Sequence, residues 1–204
     1  MKKFVFFAMV IGFCAMLSAS SINAEGTTVQ YSATETISTE RGDVEARIFV
    51  APGMKRMEMS EATQILRFDK GVIWVLMPQQ RMYMERSIAS APEGGGTLKY
   101  LEKENLGKET VNGIAATKYK TVAEDPQGNR LQGFSWFTDD GILVKNDMKV
   151  QSGGRSAQVK SEISDLKVER QDPSLFEIPQ GFNKLAMPAG MPGGMPGGMK
   201  IPGR

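Results

Sequence analysis

Apolar residues recur at every second position along much of this chain, and that period fits strands better than helices. Val44, Ala46, Ile48 and Val50 fall on one side, with Glu45 and Arg47 on the other. Successive side chains of a strand point to opposite faces, so such a segment presents one apolar and one polar face. The same reading predicts strands over Val29–Thr39, Lys55–Ser60, Gln64–Asp69, Val72–Met77 and Arg81–Glu85, joined by the short turns "APG", "DKG" and "MPQQ". Val72–Met77 is apolar on both faces and is expected to be central and covered on both sides. Beyond Ser87, "IASAPEGGGT" reads as a loop and "LKYLEKEN" as a short helix with Leu98 and Leu101 on one side.

Strands then resume. Asn112-Gly113 is the strongest two-residue hairpin signal. "EDPQGNR", Asp139-Asp140-Gly141 and "SGGR" mark later turns, and Ala157–Glu169 reads as a long strand. Asp172-Pro173 supplies an N-cap and a first-turn proline for one helical turn over "DPSLF". About ten strands linked as neighbouring hairpins predict a mainly β (α+β) domain: a strongly curved antiparallel sheet with one or two short helices.

The two ends differ from this body. "MKKFVFFAMVIGFCAMLSASSINA" has two lysines, an apolar run and small polar residues, the layout of a secretory signal peptide. Its apolar run, about 14 residues, is short of the roughly 20 that a spanning helix needs. Residues 1–24 are therefore expected to be removed after Ala24, with cleavage near Ala19 the alternative, which places the protein in the periplasm. The only cysteine, Cys14, lies inside the apolar run and follows Phe13, where a lipoprotein signal would carry a small residue. Residues 25–185 form the expected domain. Residues 186–204, "MPAGMPGGMPGGMKIPGR" and the alanine before it, are too rich in proline and glycine for helix or paired strand and are expected to be disordered.

Lys plus Arg number 25, and loss of Lys2 and Lys3 leaves 25 − 2 = 23, equal to the 23 Asp plus Glu. A balanced chain without a basic stripe speaks against nucleic acid as a partner. No histidine is present, and Cys14 falls in the leader, so the usual acid–base and nucleophilic groups are missing. No catalytic residue, no resident metal and no cofactor is expected.

Methionines carry the functional expectation. Met57 alternates with Met59, and Met82 with Met84. Leu66 with Phe68, and Trp74 with Leu76, make two further pairs on the intervening strands. Arg56, Glu58, Arg67, Arg81 and Glu85 are expected on a solvated opposite face. Methionine has three rotatable bonds and a polarizable sulfur, suited to surfaces that repack around an apolar guest, although it also fills gaps in ordinary cores. Met57, Met59, Leu66, Phe68, Trp74, Met82 and Met84 are thus the candidate ligand-binding residues. In the tail, Met187, Met191, Met195 and Met199 recur every four residues, and thioethers favour soft ions such as Cu(I).

Three stretches in order, "KRMEMSEATQILRFDKGVIWVLMPQQRMYME", "LGKETVNGIAATKYK" and "DPSLFEIPQGF", resemble a group of exported bacterial domains of unknown function. These are similar to LolA, the periplasmic carrier of outer-membrane lipoprotein sorting. The resemblance implies a half-open antiparallel β-barrel, apolar inside, that carries a lipid or lipoprotein acyl chain without a cofactor and deals with partner proteins at the inner or outer membrane. Two alternatives stand beside it: an envelope metal-handling protein using the methionine tail for Cu(I), and a structural interaction module without a small ligand.

Overall fold

The computed structural model describes residues 28–39, 42–88, 98–125 and 128–185. The expected leader and the methionine-rich tail both lie outside the described residues. Among the described residues twelve strands form one sheet: β1 (Tyr31–Thr39), β2 (Gly42–Ala51), β3 (Met54–Glu58), β4 (Thr63–Arg67), β5 (Val72–Met77), β6 (Met82–Ser87), β7 (Lys99–Val111), β8 (Ile114–Glu124), β9 (Arg130–Phe137), β10 (Leu143–Ser152), β11 (Arg155–Val168) and β12 (Asn183–Lys184). Their order in space is β12-β6-β5-β4-β3-β2-β1-β11-β10-β9-β8-β7. Two antiparallel meanders, β1–β6 and β7–β11, therefore meet where β1 pairs with β11. The sheet is large, curved and open, as the alternation predicts.

Two features express the curvature. At the β7–β8 turn, Asn112 and Gly113 both have positive φ, 49° and 81°, as a tight hairpin of this kind requires. The Asn112 side-chain amide donates to the Ile163 carbonyl on β11 at 3.0 Å, although β9 and β10 lie between β8 and β11 in the sheet. The sheet has curled far enough for its far hairpin to reach back past two strands. At Gly133 on β9, an added Cβ would overlap the Asp147 carbonyl oxygen and stand 2.9 Å from the Met148 Cα. Only a residue without a side chain lets β9 and β10 approach so closely there.

β7 corrects the helix expected over "LKYLEKEN". The segment is an edge strand paired along its length with β8, and its register shifts between Tyr100 and Glu102 and between Asn105 and Gly107. Each irregularity breaks the two-residue alternation. The spacing of Leu98 and Leu101 then mimics a helical face, although Leu98 is buried and Leu101 exposed.

Helical structure is confined, among the described residues, to short 3-10 turns. In the one at Pro173–Phe176, the Asp172 carboxylate accepts from the Ser174 N–H at 2.9 Å, the expected cap. This turn drives Phe176 into a cluster of Phe49, Ala51, Ile65, Trp74 and Leu76. The face expected to be solvated is thereby covered. Arg56 and Arg67 lie on it, but their guanidinium groups donate to the Leu175 and Phe176 carbonyls at 2.9 and 3.0 Å. Arg67 also grips Asp69 at 2.7 Å and Glu177 at 2.5 Å. β5 is buried on both sides, as its continuous apolar run predicts, because Ile73 and Val75 pack on one face while Trp74 and Leu76 pack on the other.

Phe176→Ala should cost about 3–5 kcal/mol, the range for emptying a buried aromatic site, read as a lower urea midpoint. Gly133→Ala should lower it too, since backbone rather than a side-chain tip must give way. The hydrogen bond from Arg67 holds the Asp69 carboxyl below its ordinary range. Burial pushes the Glu177 carboxyl up, but Arg67 and Lys70 outweigh it and bring it down. Carboxyls depressed in the folded state contribute stability above the unfolded pKa of about 4, and that stability disappears as pH falls through the folded values. The urea midpoint should therefore fall on acidification below about pH 4, and less steeply in Glu177→Gln.

Candidate functional site

Cross-strand partners share a face, so the register decides which side chains meet. One row runs Ile48, Met57, Gln64, Val75, Met84 across β2 to β6. The next runs Val50, Lys55, Leu66, Ile73, Arg86, and Met77 faces Met82 beyond Val75 and Met84. Leu66, Ile73, Val75 and Met84 form a buried cluster flanked by half-buried Phe68, Met77, Ile88 and Leu185. Met57 belongs to the neighbouring cluster with Ile48 and Val50; Met59 packs there, and Phe68 touches both clusters. Met57, Met59, Leu66, Phe68, Met82 and Met84 thus share one face, referred to below as the methionine face.

Trp74 does not join them. It pairs with Ile65 and Glu85, lies under Phe176, and donates its indole N–H to Glu85 at 2.9 Å. Arg67 and Lys70 stand 5.9 and 5.3 Å from its ring centre. Its place is the opposite face, so the continuous surface expected to include Trp74 uses Ile73 and Val75 instead. The apolar run Val72–Met77 fits either parity, and only the pairing of Leu66 with Ile73 fixes which residues face the methionines.

The members differ in access. Met57 and Leu66 are 0% and 2% exposed, so they form the floor, while Met59, Phe68 and Met82 are half-buried and form the approachable part.

Sequence reasoning missed the polar groups on this face. Lys55 and Glu35 are both buried, and the ammonium meets the carboxylate at 3.0 Å. Parity carried a signal for Lys55, which stands two residues before Met57; Glu35 lies in a threonine-rich strand with no such mark. Tyr31 shares this region, and burial pushes its phenol above the usual range, helped by the Glu35 carboxylate. In the middle of the methionine row, Gln64 is buried and its Oε1 has no hydrogen-bond partner among the described residues. Such an acceptor is a cost in an apolar row. Among the described residues no group of three or more acidic, cysteine or histidine side chains is placed to hold a metal ion.

Removing one member of a buried ion pair strands the other charge. Lys55→Met should therefore cost about 3–5 kcal/mol, whereas Lys55→Met with Glu35→Leu should recover most of it. A double-mutant cycle by urea unfolding measures this, and additive single losses would contradict it.

A family model described as Domain of unknown function (DUF4412) matches residues 33–140, and the chain belongs to that family. No curated protein matches the sequence. Among solved structures, the chain is similar to LprF from Mycobacterium bovis, with 13% identity over 82% of this chain and 96% of that one and a TM-score of 0.42. It is also similar to a putative outer membrane lipoprotein-sorting protein domain from Vibrio parahaemolyticus, with 12% identity over 79% and 95% of the two chains and a TM-score of 0.31. A DUF1329 family protein from Desulfovibrio piger gives 14% identity over 82% and 97%, with a TM-score of 0.31.

Proposed function

We propose that this member of the domain-of-unknown-function family is a periplasmic binding or carrier protein that holds a hydrophobic ligand, a lipid or lipoprotein acyl chain, against the methionine face. The observation that carries the reading is the composition of that face. Its floor is buried and, beside Gln64 and the Lys55–Glu35 pair, apolar; its approachable part is built from Met59, Phe68, Met77 and Met82, and Ile88 and Leu185 lie at its margin. An ordinary closed core needs no such graded access. Thioether side chains change shape at little cost, so the face can yield to chains of different length and branching. The leader-like first 24 residues support export, and inner- or outer-membrane partners would load and unload the cargo.

Mass spectrometry of the intact protein, purified from the periplasm without harsh detergent, tests this directly. The expected result is a bound mass that organic solvent releases as lipid. A ligand-free protein that also fails to take up a fluorescent fatty acid would overturn the reading. Met59→Gln with Met82→Gln should weaken uptake of that probe about tenfold, roughly the loss of 1.4 kcal/mol of apolar contact. Trp74→Phe, on the other face, should leave uptake unchanged.

A further inference from the structure

The methionine face continues across the β1–β11 seam. Glu35 pairs with Ile163, and Ser161, two residues on, pairs with Asn146, then Ser135, then Tyr119. Two positions along β8, Thr121 pairs with Lys103 on the edge strand β7. Lys103 therefore shares a face with the methionines, at the other end of the sheet. Next to it on this face lies an apolar cluster of Leu98, Ala123, Leu131 and Met148.

The surroundings of Lys103 are unusual for a lysine. Its ammonium stands 4.2 Å from the Phe137 ring centre, 4.3 Å from Tyr119 and 5.7 Å from Tyr100. Tyr119 and Phe137 meet edge to face, with centres 6.0 Å apart. Ring faces attract a cation, but they do not neutralise it. Among the described residues no carboxylate comes within ion-pair distance of Lys103. The neighbouring acids Glu102 and Glu104 pair with Val122 and Lys120, on the opposite face. Burial depresses the Lys103 ammonium below the usual lysine range, opposite to the effect of a carboxylate partner. Directly across the strand, Thr121 is fully buried and its hydroxyl has no hydrogen-bond partner among the described residues. Folded proteins seldom leave such a group unsatisfied.

We propose that Lys103 and Thr121 form an anion subsite, which takes the phosphate or carboxylate head of an amphiphile whose chain lies along the same face. The subsite rests on the carrier reading and adds to it a charge preference. Lys103 is exposed on the edge strand, so its ammonium supplies the charge to a head group arriving from solvent, and the buried Thr121 hydroxyl on the neighbouring strand supplies one directed donor. An uncharged lipid would leave the cation and the hydroxyl as they are in the free protein.

A matched pair of probes tests it: oleoyl lysophosphatidic acid and 1-oleoylglycerol, which share chain and glycerol and differ by the phosphate. Binding of each to the full chain is measured by calorimetry below micelle-forming concentrations, with inorganic phosphate as a third arm. The wild type should prefer the phosphate-bearing lipid by about tenfold or more. Lys103→Gln should abolish that preference while keeping affinity for the neutral lipid, Lys103→Arg should retain it, and Thr121→Val should reduce it. Equal binding of both lipids by the wild type, or an unchanged preference in Lys103→Gln, would overturn the subsite and leave the carrier reading standing. An unchanged preference in Thr121→Val would overturn the hydroxyl's part. Inorganic phosphate binding as tightly as the phospholipid would support the anion site and overturn the carrier reading, and failure of both lipids to bind would overturn both.

Discussion

The antiparallel pairing of β1 with β11 turns two separate meanders into one sheet. The largest core cluster draws Tyr31, Ala33 and Ile37 from β1, Ile48 and Val50 from β2, Trp136 from β9 and Ile163 from β11, so it exists only when the seam is closed. Among the described residues no long helix covers the sheet, and its own strands and loops act as lids. Here the curled β7–β8 hairpin reaches β11 on one side, and the turn at Pro173–Phe176 covers β2–β5 on the other.

That economy explains why polar groups lie in the interior. Glu35 on β1 and Lys55 on β3 bond across the intervening β2, an ion pair that ties the seam strand to the first methionine strand. Its geometry specifies register as well as contributing energy, because a one-residue slip would turn one partner to the other face. The methionine face is thus fixed in position by a rigid polar tie while its own side chains stay adaptable. Among the described residues, Lys103 and Thr121, at the far end of that face, have no comparable tie.

The sequence stated the fold class clearly, because alternation in β2 and β3 and the Asn112-Gly113 turn are local signals that tertiary structure did not override. The cap at Asp172 was legible for the same reason. Three features were hidden. β7 loses its alternation through two irregularities in register, so its period resembles a helix. Trp74 sits in a run apolar on both sides, where only cross-strand pairing assigns a face. Arg56 and Arg67 look like solvent-facing charges until a segment more than a hundred residues downstream supplies carbonyls for them. Each of these depends on contacts remote in the chain, which a periodicity cannot contain. Of the candidate site, the methionine pairs were readable and their polar company was not, apart from Lys55.

The Arg67 bond to the Phe176 carbonyl spans 109 positions. Strands β3 to β5 can pair as soon as they are made, yet one side of them stays uncovered until nearly the whole polypeptide exists. Distant partners of this kind slow the final step of assembly. An incomplete chain would meanwhile leave Ile65, Trp74 and Leu76 uncovered together, a sticky patch that the finished molecule conceals.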